Sequence, residues 1–171
     1  MNKISIDAEQ GSYCHQKVLE DTRAIEIASR GPSHPMKING RPKVLVVDDE
    51  VAIRTIVKRS LEIQLHAEVQ TAPNGEIATR LIEENSFDLI ISDMQMPQMT
   101  GLELYLWIQI NAPLLTERFF IISGDLGGSA VAEELHRHSV EVLKKPFLIE
   151  RLLETTARYL PLHGKLEKIP A

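Results

Sequence analysis

Asp88-Leu89-Ile90-Ile91-Ser92-Asp93, followed directly by Met94-Gln95-Met96-Pro97-Gln98-Met99-Thr100-Gly101, is the stretch whose reading decides the fold. The apolar run is too short for an amphipathic helix, so it reads as a buried strand, and a Pro/Gly-punctuated turn closes it. Asp93 therefore stands at the C-terminal edge of a strand. In an open α/β sheet that edge is where ligands bind, in the crevice beyond the strand ends.

Working outward, strands alternate with helices. Val44 to Val47 is a continuous β-branched and aliphatic run, the mark of a strand covered on both faces. Ile53, Ile56, Val57 and Leu61 then recur at helical spacing, predicting a helix to about Leu65. Further strands are predicted at 68–72, 87–92, 118–122 and 140–143. Between and after them lie helices opened by Asn74-Gly75, led by Gly101, marked by Val131 and Leu135, and running from Leu148 to Leu160. Five strands each followed by a helix require parallel pairing through right-handed crossovers, an α/β fold.

The chain has 171 residues, enough for one domain and an appendage. Residues 1–41 read as an N-terminal extension: a thin apolar stripe predicts a helix over 13–29, and the Gly/Pro-rich stretch after it is linker chemistry. Residues 42–160 read as the α/β domain and 161–171 as a tail. A net charge of −5 and a pI near 5.7 argue against a general nucleic-acid surface or an anionic membrane surface. The lone cysteine, Cys14, rules out an intrachain disulfide framework. With no apolar secretion segment and no run near the ~20 residues of a membrane span, the expected location is cytoplasmic.

Parallel strands bring their C-terminal ends to one rim. There the first strand ends in Asp48-Asp49-Glu50, the third in Asp93, the fourth in Ser123 and the fifth in Lys144-Lys145-Pro146. Carboxylates forced together raise each other's pKa unless a cation neutralises them, which implies a divalent ion. All-oxygen donors favour Mg²⁺ or Mn²⁺ over zinc. With a hydroxyl and an ammonium alongside, these are the parts phosphoryl transfer needs. Taken singly, Asp48 or Glu50 reads equally as a helix cap, Ser123 as a turn residue and Lys145 as a solvated cation.

Four stretches in order resemble the receiver domain of two-component response regulators: Lys43-Val44-Leu45-Val46-Val47-Asp48-Asp49-Glu50, Asp93 to Gly101, Ile121-Ile122-Ser123-Gly124, and Lys144-Lys145-Pro146-Phe147. The resemblance covers about residues 42–160 and implies a flavodoxin-like doubly wound sheet with strand order 2-1-3-4-5, a topology known for chemotaxis members of that family. It implies that Asp93 accepts a phosphoryl group from a phospho-histidine on a sensor histidine kinase or histidine phosphotransfer protein. Asp49, Asp93 and the backbone carbonyl of Gln95 would ligate Mg²⁺ directly, and Asp48 through a water. Lys145 and Ser123 would hold phosphoryl oxygens, and the fourth helix, fifth strand and fifth helix would present the altered surface to an output protein. The domain would signal rather than act as an enzyme on an outside substrate.

One position departs from the pattern. Where many receivers carry an aromatic residue three places before the site lysine, this chain has Val142, which predicts that any switch works through backbone movement of the 123–128 loop. Gln95 and Asp125 would flank the approach of a hydrolytic water and tune the lifetime of the acyl phosphate. No segment reads as an output domain, so the expectation is a stand-alone receiver working by protein contacts or relay, with no direct nucleic-acid contact and a homodimer as a candidate assembly. Two alternatives remain at this point. One is a phosphorylation-independent adaptor with the same fold. The other is a flavodoxin-like cofactor protein, against which the acidic first turn speaks because an anionic cofactor meets repulsion there.

Overall fold

A computed structural model describes residues 40–124 and 128–160. The expected helix at 13–29, the tail after 160 and Asp125 lie outside the described residues. The elements run β1 (Lys43–Val47), α1 (Val51–Gln64), β2 (Glu68–Ala72), α2 (Gly75–Glu84), β3 (Leu89–Asp93), α3 (Gly101–Asn111), a 3-10 turn (Pro113–Arg118), β4 (Phe119–Ser123), α4 (Ser129–Arg137), β5 (Glu141–Lys144) and α5 (Ile149–Tyr159). The sheet is five-stranded, with order β2-β1-β3-β4-β5. Every pairing is parallel. No helix among the described residues is long and apolar enough to cross a membrane.

Side chains alternate across a strand, so a sheet covered on both faces must be apolar at successive positions. β3 and β4 meet that condition, with all five residues of each buried. One face, carrying Leu45, Val47, Ile90, Phe119 and Ile121, packs against Ala78 and Ile82 of α2, Leu104 and Ile108 of α3, and Leu135 of α4. The other, carrying Val44, Val46, Leu89, Ile91, Phe120 and Ile122, packs against Val57 and Leu61 of α1 and Leu152 of α5. Each fully buried aliphatic or phenyl side chain contributes about 1.5–3 kcal/mol relative to its exposed state. Asp48, Asp93 and Ser123 are thus anchored by the best-buried strands of the domain, while Lys145 follows the shallower β5.

The predicted elements of residues 42–160 are present, and their boundaries differ for physical reasons. β3 begins at Leu89 instead of Phe87 because Asp88 is turned to capture β1: its Oδ2 accepts from the Lys43 N–H at 2.8 Å, and its own N–H donates to the Lys43 carbonyl at 2.7 Å. The strand then runs one residue further than expected, to include Asp93. β4 and β5 each lie one residue later than the sequence pattern suggests. The 3-10 turn after α3 is additional. Pro113 starts it, and Thr116 Oγ1 donates to the Pro113 carbonyl at 2.6 Å.

Candidate functional site

In-register pairing fixes which residues share the rim. Val47 is opposite Ser92, Asp93 opposite Ile122, and Ser123 opposite Lys144. One step past these pairs lie Asp48 on β1 and Lys145 on β5. The Lys145 Nζ stands 2.9 Å from Asp48 Oδ2 and 2.9 Å from Asp93 Oδ1, so a single ammonium bridges acids from two strands. The Lys145 main chain is tied down as well, its N–H donating to the Ser123 carbonyl at 2.7 Å. The Lys145–Pro146 peptide is cis.

Asp93 is 7% exposed. Its Oδ2 accepts from the Gln95 N–H at 3.2 Å. Burial pushes its carboxyl pKa above the ordinary value; the Lys145 ammonium and the Gln95 N–H pull the other way, while the Asp48 charge adds to the rise. For Lys145, burial alone would depress the pKa, but the hydrogen bonds and charges of Asp48 and Asp93 outweigh it and hold the ammonium above the ordinary lysine value. Burial thus makes a bare carboxylate costly here and a shared cation valuable.

The two adjacent acids of β1's end differ. Asp48 is buried, gives Oδ2 to Lys145 and accepts from the Glu50 N–H at Oδ1, 2.8 Å away. Its main-chain carbonyl accepts from the Arg54 guanidinium on α1. Asp49 is exposed, and among the described residues its carboxylate takes no hydrogen bond or ion pair. Ser123 is buried at the end of β4. The Gln95 and Lys144 side chains are exposed, and Val142 is half-buried against the face covered by α2, α3 and α4.

Among the described residues no three carboxylate, histidine or cysteine side chains gather closely enough to hold a metal ion. The ammonium of Lys145 stands where Asp48 and Asp93 meet. The donor chemistry nevertheless suits a hard divalent ion: the residues expected to bind it offer only oxygen, and carboxylates outnumber the one ammonium that touches them.

Two neighbours of Asp93 play a part that their sequence positions do not show. Ser92, fully buried within an apolar strand, donates its hydroxyl to the Asp93 carbonyl at 2.8 Å. Gly101 begins α3 directly against the same group: a Cβ there would lie 2.3 Å from the Asp93 carbonyl oxygen. The glycine was legible as a helix start, but its close approach was not. Thr100 caps that helix reciprocally with Glu103, the N-terminal signature that the sequence Thr100-Gly101-Leu102-Glu103 does carry.

Comparison with known proteins identifies the family of the domain. Residues 44–157 match the family model of the response regulator receiver domain. The chemotaxis protein CheY of Listeria monocytogenes is 30% identical over 112 residues, covering 66% of this chain and 92% of that protein. The DNA-binding transcriptional regulator NtrC of Azospirillum brasilense is 32% identical over 128 residues, covering 75% of this chain but only 26% of that longer protein. The solved structure of the chemotaxis response regulator CheY4 of Vibrio cholerae superimposes with a TM-score of 0.63 at 32% identity, covering 71% of this chain and all of that one.

Proposed function

The chain belongs to the response regulator receiver family of two-component signalling, and from that premise we propose that Asp93 is its phospho-acceptor, loaded from a phospho-histidine donor in a Mg²⁺-dependent reaction. The observation that carries the reading is the buried Asp93 carboxylate held at 2.9 Å by the same Lys145 ammonium that holds Asp48.

In the transfer, an Asp93 carboxylate oxygen attacks the phosphorus of the phospho-histidine. The P–O bond forms as the P–N bond breaks, and the electron pair leaves with the imidazole nitrogen, which takes up a proton. The product is an acyl phosphate. Phosphoryl transfer asks a protein chiefly for position and charge. Lys145 supplies the cation for an equatorial oxygen, and Ser123, at the end of the neighbouring strand, is the hydroxyl for another. The Gln95 N–H and Lys145 favour the ionised, nucleophilic form of Asp93 against the burial that opposes it. Asp49, Asp93 and the Gln95 carbonyl, with Asp48 beside them, would hold Mg²⁺ or Mn²⁺, and the bound ion would supply neutralising charge at the transferring group. Gln95 and Asp125 tune hydrolysis of the product.

The donor is a sensor histidine kinase or a histidine phosphotransfer protein. The output is a protein contact on the surface of α4, β5 and α5, or onward relay, from a receiver domain at residues 42–160 preceded by an extension. The domain works as a signalling acceptor in the cytoplasm rather than as an enzyme on an outside substrate.

The test is incubation with acetyl phosphate, with and without Mg²⁺, read by intact mass. The expected result is a gain of one phosphoryl group in wild type with Mg²⁺, and none in Asp93→Asn. A wild type that gains nothing would leave the phosphorylation-independent adaptor as the better reading.

A further inference from the structure

We propose that Ser92 is a positioning residue for the Asp93 nucleophile, its buried hydroxyl fixing the peptide from which the reacting carboxylate projects. The inference rests on the reading of Asp93 as the acceptor.

A hydroxyl inside a fully buried strand is costly unless it is paired, and β3 is otherwise aliphatic up to its terminal acid. Ser92 lies on the sheet face of Ile90 and Met94, turned toward the core under α2 and α3 and not toward Lys145. It therefore does not reach the phosphoryl pocket. Its partner is the Asp93 carbonyl, 2.8 Å away. That carbonyl lies where the sheet lets go. The register of β1 with β3 stops at Val47 and Ser92, while the Asp48 N–H continues the β1–β2 ladder to the Ala72 carbonyl at 3.2 Å. On the other side it is the Met94 N–H that continues to β4, reaching the Ile122 carbonyl at 3.3 Å.

The acceptor's own carbonyl thus sits past the last pair with β1, and the Ser92 hydroxyl satisfies it there. Gly101 closes the second side of the same oxygen, since a Cβ at that position would approach it to 2.3 Å. Held between a hydroxyl and the start of α3, the Asp93 peptide cannot rotate freely. Its carboxylate is therefore presented to Lys145 in one orientation. Without the hydroxyl, the peptide at the end of β3 gains a rotation that carries the nucleophile out of line. Effective molarity is lost steeply with small misplacements of a reacting group.

The experiment follows phosphoryl uptake from acetyl phosphate in the full chain with saturating Mg²⁺, varying the phosphodonor, for wild type, Ser92→Ala and Ser92→Thr, with thermal melts of each. The expected result is a maximal rate about tenfold lower in Ser92→Ala. Its half-saturating donor concentration should be unchanged, and the rate should be recovered in Ser92→Thr, which restores the hydroxyl. A rate in Ser92→Ala equal to wild type overturns the inference and leaves the acceptor reading standing. So does a folded Ser92→Thr that is as slow as Ser92→Ala, because packing rather than the hydroxyl would then be at work. No uptake by wild type overturns the acceptor reading and this inference with it. Should Ser92→Ala fail to fold, Ser92→Cys takes its place in the same comparison, keeping the volume while weakening the donor.

Discussion

Replacing Gly101 by alanine tests how rigidly the acceptor is built into the fold. The added Cβ would meet the Asp93 carbonyl oxygen at 2.3 Å, its carbon at 3.1 Å and the Met94 Cα at 3.1 Å, all backbone atoms of the strand end. Ordinary contact begins at 3.4 Å, so α3 and the end of β3 must part by roughly an ångström. Overpacking of this kind costs about 1–3 kcal/mol. The usual helical advantage of alanine over glycine, about 0.5–1 kcal/mol, offsets little of it at the first helical position. A net loss of about 2 kcal/mol corresponds to a fall of roughly 8 °C in melting temperature for a domain of this size. Because the group that moves is the acceptor's own peptide, phosphoryl uptake should fall by as much as about 100-fold.

Gly75 supplies the control. A Cβ there would also clash, at 2.5 Å with the Cγ and 2.7 Å with the Sδ of Met99, which can swing aside, and at 2.8 Å with the Met99 Cβ, which moves only with its backbone. Gly75→Ala should therefore also cost stability, by about 1–3 kcal/mol, but leave uptake near that of wild type, because none of the atoms it meets belongs to Asp93. Thermal denaturation followed by circular dichroism and uptake from acetyl phosphate read both variants. The reasoning fails if Gly101→Ala melts and reacts like wild type, or if uptake by Gly75→Ala is equally damaged.

Lys145→Met should destabilise the domain by about 3–5 kcal/mol in urea titrations, because it leaves two buried acids without their cation; a loss under about 1 kcal/mol would mean that the bridge is no more than a surface pair. Asp93 carries a raised pKa, so its ionisation opposes folding: the stability tied to this group is present below the ordinary carboxylate pKa and is lost as pH rises through the raised one. Asp93→Asn should accordingly be more stable than wild type at about pH 7, with the advantage shrinking toward about pH 4; an advantage that grows on acidification contradicts this. Tyr159, desolvated and donating its hydroxyl to Glu141 at 3.0 Å, has its pKa pushed up to about 12. The stability from its neutral form is present below the ordinary tyrosine value and lost as pH approaches about 12, so the last step of an alkaline absorbance titration of the folded protein should vanish in Tyr159→Phe.

The parts of the fold legible in the sequence are those set by periodicity. Val44–Val47 and Leu89–Ile91 must be buried on both faces wherever the chain goes, and parallel crossovers then carry Asp48, Asp93, Ser123 and Lys145 to one rim. What was not legible depends on side chains captured at element ends. Asp88 reads as part of a strand, yet it spends its carboxylate on the Lys43 amide and shortens that strand. Asp48 and Asp49 are neighbours with identical chemistry. Which one faces inward is decided by where β1 leaves the sheet, a tertiary fact that turns Asp48 to Lys145 and Asp49 to solvent. Ser92 reads as a polar lapse in an apolar run because its partner is a main-chain carbonyl, for which sequence has no symbol.

Such main-chain ties also bear on how a change at Asp93 would travel. Val142 is half-buried on β5 and packs against the core face shared with α2, α3 and α4, so it has no ring to expose or withdraw. Lys145, in contrast, is bound to β4 through its own backbone, 2.7 Å from the Ser123 carbonyl. When its ammonium is drawn from Asp48 and Asp93 toward an added phosphoryl group, the displacement is delivered to the end of β4 and the chain leaving it. Phosphorylation is therefore expected to shift the backbone amides of Ser123 and Gly124, and of the loop to Gly128, well beyond those around Val142. Amide chemical shifts compared before and after loading with acetyl phosphate give the measurement. Unmoved resonances across 123–128 beside large changes at Val142 would show that the signal leaves through a side-chain rearrangement on β5 instead.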